Sequence, residues 1–401
     1  MRRLLLILPA STYRAEEFIE AAESVGAEPI VATDPHPLLQ MRLGDRFIDL
    51  TEATPETIAA DASAHGPVHG VVSPDDGMVQ LAGEVAERLG VAANPPWAVG
   101  ATRNKSTFRR ALAGVVPQPS FQVLEPGTDP RPDIERIGAP VVMKPLSRSG
   151  SQGVIRVDHP DDAIEVEQRI RRILAMCGAD PNEPILIERF VPGPEVAVEG
   201  ILVGGTLEVL ATFDKPDPLD GPYFEETIYV APSRLHPEVV SEIHRVVQEA
   251  CTSLGLVEGP VHAELRVHGS TVVMIEMAAR PIGGRCGTAL RFGLGDAQEV
   301  LLARAALGLG IRDSDRLRGS VGSLMIPIPA SGTLLAIDGV EEARAIPGIT
   351  GVDITAHIGG RVLALPEGDR YLGFAYAATE TPEETEAALR AAKATITVEV
   401  G

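Results

Sequence analysis

The sequence predicts a chain of mixed α/β and α+β class divided into several domains, and three observations carry that expectation. Its 401 residues exceed what one hydrophobic core can organise. Over residues 1–95 strand-like and helix-like stretches alternate, the pattern of an open and mostly parallel sheet. Residues 260–285 instead hold two apolar runs around His268-Gly269-Ser270, which is how a β-hairpin reads.

Composition narrows the function classes. With 44% hydrophobic and 23% charged residues, the chain resembles ordinary globular proteins. No stretch is apolar for long enough to span a bilayer, and the run Leu4 to Leu8 reads as a first strand rather than a leader. Cys177, Cys251 and Cys286 lie too far apart for a disulfide framework or a zinc site, which suits a reducing cytoplasm. A net charge of −21 argues against nucleic acid or an anionic membrane as partner. Any polyphosphate site must therefore be locally basic.

Taken in order, residues 4–8 form a strand, 14–25 a helix stopped by Gly26, and 28–34 a second strand. Thr54-Pro55 opens another helix, 68–73 is a strand, and a helix follows from about Asp76 to Gly90. No G-x-G-x-x-G follows the first strand, so no dinucleotide site is expected there. Asn94-Pro95-Pro96 marks a boundary, and Asn104 then caps a short helix ending at Gly114. That helix sets Lys105 and Arg109 four residues apart, a spacing that usually means a solvated basic face.

A buried strand over 139–144 ends on Lys144, and the Gly/Ser-rich loop PLSRSGSQG follows it directly. Such a loop can turn successive N–H groups towards phosphates, and eight residues are more than a hairpin turn needs. Its Gly and Ser side chains bury little, so mobility is expected. A helix over 160–177 leads to a strand ending Glu188-Arg189-Phe190-Val191, and a further strand begins at Glu195 after Pro192-Gly193-Pro194. Gly204-Gly205 turns it back, and an irregular acidic stretch, 217–233, precedes a helix over 236–254. Beyond the hairpin come ARPIGG, a helix from about Ala297 to Leu309, and a Gly- and Pro-rich region with short β-like runs.

Along the hairpin, alternation puts Glu264 and Glu276 on one face. A three-residue turn would set them directly opposite, and a two-residue turn would make them near neighbours. Two hard oxygen donors on rigid strands suit Mg²⁺, although two unrelated solvated glutamates would read the same way.

Five separated features then stand in order: Lys105, Lys144 with its Gly/Ser loop, the hinge E-x-x-x-x-G-x-E at Glu188, Gly193 and Glu195, the acidic hairpin, and Arg280 trailing it. Together they resemble the ATP-grasp superfamily, specifically its carboxylate–amine ligases of the L-amino acid ligase type, over residues 1 to about 310. The last ninety or so look like that family's small C-terminal lobe.

The resemblance implies an ATP-grasp fold with a Rossmann-like N-terminal domain (1–95), two ATP-grasp subdomains (96–190 and 191–310) and a C-terminal lobe (311–401). It implies ATP as nucleotide, with two Mg²⁺ ions for which Mn²⁺ could substitute. Lys105 and Lys144 would meet α- and β-phosphates, and Ser147, Ser149, Gly150, Ser151 and Gly153 would close over the β- and γ-phosphates. Glu188 and the backbone of Phe190 and Val191 would read adenine, Glu195 the ribose, and Lys215 the γ-phosphate or solvent. Glu264 and Glu276 would hold metal. Many members have E-x-N where this chain reads Glu276-Met277-Ala278, so a third ligand is missing.

Arg280 would stabilise the transferring phosphoryl group, while Gly283 and Gly284 leave room for the acyl group. Glu226 and, more weakly, Tyr229 would meet the amine, and Cys286 would line a pocket. The implied activity joins a carboxylic acid to an amine through an acyl phosphate, on small-molecule substrates; related ligases are often homodimers. A carboxylase or purine-synthesis ligase, or a regulatory nucleotide binder without turnover, remains the alternative.

Overall fold

A computed structural model describes residues 1–9, 15–283 and 285–401. Four parallel strands open the chain in the order Phe47–Asp49, Ala27–Thr33, Arg2–Ile7, Gly70–Val72. The run of leucines in the first strand is buried on both faces, as a central parallel strand must be. The helix expected from Asp76 begins at Val79, because Asp75 caps the preceding turn by accepting the Gly77 N–H. That leaves Asp76 in a loop, where it does other work. The helix expected from residue 14 runs Ala15–Ser24, its first expected residue lying outside the described ones.

Two further sheets frame the centre. A four-stranded antiparallel sheet has the order Phe121–Leu124, Ile185–Arg189, Val141–Pro145, Ile155–Val157. An eight-stranded sheet begins with the hairpin Thr271–Ala278 and Gly259–His268, then Glu195–Val203, Thr206–Lys215 and Ile228–Ala231. It runs on without a break through Ser320–Ile326, Gly373–Thr379 and Ile349–Ile354. The stretch read as irregular therefore contributes a strand, since Ile228, Tyr229, Val230 and Ala231 are all buried.

One face of the eight-stranded sheet packs on the helix Pro237–Leu254 through Val196, Val198 and Leu202. Period-2 alternation turns Glu195, Ala197 and Glu199 the other way.

The final region holds more than β-like runs. Thr381-Pro382-Glu383-Glu384 forms a capping box that starts the helix Pro382–Thr395, a start signal legible in the sequence but not read from it.

The Gly/Ser loop after Lys144 is tied down rather than loose. Gly153 N–H donates to the Pro366 carbonyl at 2.9 Å, and the Gln152 amide to the Glu367 carbonyl at 2.7 Å. Gln152 is only 3% exposed, and Arg148 reaches both Gln152 and Asp369. Nearby, Arg169 grips the Glu367 carboxylate with two nitrogens (2.7 and 3.1 Å) and the Tyr223 hydroxyl with a third. Gly150, Ser151 and Gly153 all have positive φ, which turns the loop backbone tightly. The C-terminal lobe thus clasps the loop. Glu367→Ala should raise hydrogen exchange across 147–153 several-fold in the nucleotide-free protein; unchanged protection would show the clasp to be idle.

Candidate active site

The site is a lattice of side chains on one sheet face, set by strand register. Across neighbouring strands Lys215, Glu195 and Arg266 form one row, Phe213, Ala197, Glu264 and Glu276 a second, and Ala211, Glu199, His262 and Ala278 a third. Glu264 and Glu276 do pair directly, but not by a three-residue turn. His268 pairs with Thr271, so the turn has two residues, and a bulge at Ile275 shifts the register by one.

Arg109 supports that bulge. Its guanidinium donates to the carbonyls of Ile275 (2.6 Å) and Met274 (3.4 Å), and pairs with Glu188. The expectation of a solvated basic face is wrong here: Arg109 is 1% exposed, and Lys105 is buried beside it. The helix Lys105–Ala111 lies against the sheet rather than in water because Phe108 and Leu112 anchor it in the core.

Charges alternate through the centre. Glu188 takes Arg109 on one oxygen and Lys144 on the other at 2.5 Å. Burial raises its pKa, but the two cations outweigh that and hold it down at about 2. Burial also lowers Lys144, against the pull of Glu188. Lys105 donates to the Arg148 carbonyl of the clasped loop at 2.5 Å and lies 3.4 Å from Glu276. Lys105, Lys144 and the loop are therefore brought together as expected.

The Lys215 ammonium sits among three carboxylates, 2.7 Å from Glu195, 2.6 Å from Glu226 and 3.0 Å from Glu264. Burial disfavours its charge, yet the three anions push its pKa well above the ordinary value. In this state Glu226 does hold an ammonium, but it is the chain's own. Burial and Glu264 raise the Glu226 carboxyl, while Lys215 and His262 keep Glu264 ionised. Tyr229 is buried and presents its ring to Lys215 at 5.0 Å. Lys215 was expected at a γ-phosphate or in solvent; the carboxylates explain why solvent is excluded.

The groups expected to read adenine are partly engaged within the chain. Both Glu188 oxygens are on cations, the Phe190 N–H donates to Pro140, and the Val191 carbonyl accepts from Arg266 at 2.8 Å. One backbone group of each hinge residue is thus already spent. Val142, Val154, Phe190, Leu219 and Phe224 form an apolar cluster beside it. A cavity of about 430 Å³ opens against Glu195, Lys215, Leu219 and Arg234.

Arg280 is half-buried and paired with Asp76 near the N-terminal sheet at 2.6 Å. Burial works against its charge, but Asp76 more than compensates. A Cβ on Gly283 would stand in ordinary contact with the Arg280 Nη1, at 3.7 Å; Gly284 lies outside the described residues. Burial pushes the Cys286 thiol up to about 12, which suits a pocket-lining residue and not a nucleophile.

The donor set near the hairpin is all oxygen, with Glu264 and Glu276 opposed on adjacent strands. The oxygens of Glu195, Glu226 and Glu264 also lie within 4.8 Å of one another. Hard carboxylates of this kind fit Mg²⁺.

Comparisons with known proteins agree with this geometry. Residues 137–289 match the ATP-grasp domain, and residues 324–401 match the L-amino acid ligase C-terminal domain 2. The chain carries an ATP-grasp domain. It is 26% identical to the human carnosine synthase 1 over 356 residues, 80% of its own length and 42% of the relative's. It is 27% identical to the Bacillus subtilis alanine–anticapsin ligase over 241 residues, 54% of its length and 50% of the relative's. It thus spans half or less of these two curated relatives. The crystal structure of an L-amino acid ligase from Bacillus licheniformis superposes over 100% of both chains, with a TM-score of 0.80 and 26% identity.

Sequence reading missed Arg109, Asp76, Glu199 and His262 as site residues. Alternation was the available signal for the last two, because His262 shares a face with Glu264 and Glu199 shares one with Glu195.

Two outcomes follow for stability. Arg109→Met strands Glu188 and the bulge carbonyls, so urea unfolding should show a loss of roughly 3–5 kcal/mol. The Glu188 carboxyl drops from 4.5 unfolded to about 2 folded, so its contribution is present above pH 4.5 and fades as pH falls towards 2. The stability gap between wild type and Glu188→Gln should therefore narrow from pH 5.5 to pH 3; a constant gap would contradict the pairing.

Proposed function

We propose that the protein is an ATP-dependent carboxylate–amine ligase that joins an amino acid or similar acid to an amine through an acyl phosphate. The observation that supports this most is that Lys105, Lys144 and the clasped loop, from a helix and the four-stranded sheet, meet Glu264, Glu276 and Arg280 at the edge of the eight-stranded one. Cations for a polyphosphate thus stand beside hard anions for a divalent ion, in a chain whose net charge is −21.

In this reading Lys105, Lys144 and the N–H groups of 147–153 bind and orient the ATP phosphates. Glu195 serves the ribose, and the apolar cluster of Phe190, Leu219 and Phe224 receives the base. Glu264 and Glu276 would hold two Mg²⁺ ions, with Mn²⁺ able to replace them. Bound metal supplies charge neutralisation on the phosphates.

A substrate carboxylate oxygen attacks the γ-phosphorus, and the bond to the β,γ-bridging oxygen breaks to release ADP. The amine nitrogen then attacks the acyl carbon, loses a proton and expels inorganic phosphate. Little covalent work falls to side chains, so positioning and electrostatics supply the rate. Arg280 offers a planar fork to oxygens that gain charge, once it parts from Asp76. Glu226 and Tyr229 face the amine, and Gly283, lacking a side chain beside Arg280, borders the acyl group.

Lys215 gives the site a way to exchange charge. Its ammonium neutralises three carboxylates, and Glu264 would release it on holding a metal. Lys215 is then free for phosphate.

ADP release across a panel of L-amino acid pairs tests the reading. Glu276→Gln should lower kcat by orders of magnitude with the fold intact. Arg280→Lys should leave ATP affinity within a few-fold and lower kcat roughly 10²-fold, the scale of one lost oxyanion donor. Tight ATP binding with no ADP release over the whole panel would instead favour a binder without turnover.

A further inference from the structure

The third row of the lattice carries no role in the reaction above, yet it is the most thoroughly wired part of the face. Glu199, 1% exposed, divides its two oxygens between different segments. One oxygen is hydrogen-bonded to His262 Nδ1. The same imidazole turns Nε2 towards Glu264 Oε1, 3.4 Å away. The other Glu199 oxygen accepts the Ile282 N–H at 3.1 Å and the Gln298 amide at 3.2 Å. Ile282 lies between Arg280 and Gly283. Gln298 in turn packs on Gly287, where a Cβ would come within 2.3 Å of its Oε1.

A carboxylate this deeply buried must be paired, and one hydrogen-bonded partner would meet that need. Glu199 has three, and they lie on separate pieces of chain: the metal-facing strand, the segment that carries Arg280, and the helix Gln298–Ala306. Register supplies the reason for the first. Glu199 and His262 are direct partners across the ladder, one row from the pair Ala197 and Glu264. The imidazole therefore spans the rows diagonally, with a ring nitrogen on each carboxylate.

From this we infer that Glu199 and His262 are positioning residues that hold the metal-facing Glu264 and the 280–283 segment in fixed relation. Neither touches substrate in this account, and both act through the groups they orient. The inference rests on the metal-binding role proposed for Glu264. Outer-sphere partners of this kind commonly change metal affinity 10- to 100-fold when lost.

The test uses the full chain and β,γ-methylene-ATP, so that no turnover is needed. Glu199→Gln keeps the volume but cannot accept from Ile282 and His262 at once. Calorimetric titration of Mg²⁺ into the protein–analogue complex should show its affinity weakened at least 10-fold, with analogue affinity in the absence of Mg²⁺ within about 2-fold of wild type. Hydrogen exchange should rise over 280–283. His262→Gln, a second variant in case the first folds poorly, should weaken Mg²⁺ likewise, and the double variant should be no worse than the poorer single one.

Unchanged Mg²⁺ affinity in a folded variant that is merely less stable would overturn the inference and leave the ligase reading standing. A wild-type complex that takes up no Mg²⁺ at all would remove that reading, and this one with it.

Discussion

Four glutamates gathered at one sheet face, two buried and two half-buried, impose the constraint that the rest of the structure answers. Glu195, Glu226 and Glu264 bring oxygens within 4.8 Å of one another, and Glu199 lies one row away. At an effective dielectric of 20, each close pair of like charges costs about 3 kcal/mol, whereas an ammonium roughly 2.8 Å away returns about 6 kcal/mol per carboxylate. Lys215 therefore wins, and the cluster holds as long as its ammonium is present. Arg266 on Glu195 and His262 on Glu199 and Glu264 complete the balance. The same arithmetic explains why the site is fit for a divalent ion: the anions are already gathered and need only change cation.

A second constraint is geometric. Alternation alone cannot bring Glu276 opposite Glu264 across a two-residue turn, so the bulge at Ile275 is required, and the bulge needs a donor. Arg109 supplies it from a helix far away in sequence while also neutralising Glu188. Glu188 then fixes Lys144. One guanidinium thus links the shape of the acidic hairpin to the position of Lys144.

Much of this was legible in the sequence, and the limits have physical causes. The parallel N-terminal sheet, the acidic hairpin and the helix ending at Leu254 follow from local periodicity and capping, which sequence displays. Lys105, Lys144, Glu264 and Glu276 were singled out by the order of separated motifs along the chain, not by any one local pattern. Arg109 was not, since two lysine- or arginine-bearing turns look alike whether water or a buried glutamate faces them. The Asp76–Arg280 pair and the clasp of Glu367 on Arg169 join residues about two hundred positions apart, and no local pattern announces them. The bulge was also hidden, because Ile275 fits a regular strand equally well. The expected looseness of 147–153 erred for a related reason: its own side chains bury little, but a loop of the C-terminal lobe covers it.

The central claim is that a carboxylate is activated by phosphoryl transfer on this face, and oxygen bookkeeping tests it most directly. An amino acid that supports ADP release can be supplied with ¹⁸O in its carboxylate, together with ATP, Mg²⁺ and the partner amine. An acyl phosphate puts one labelled oxygen into inorganic phosphate for each amide bond formed, and that is the result expected by mass spectrometry. Amide formation with unlabelled phosphate, or with label in AMP, would contradict the account.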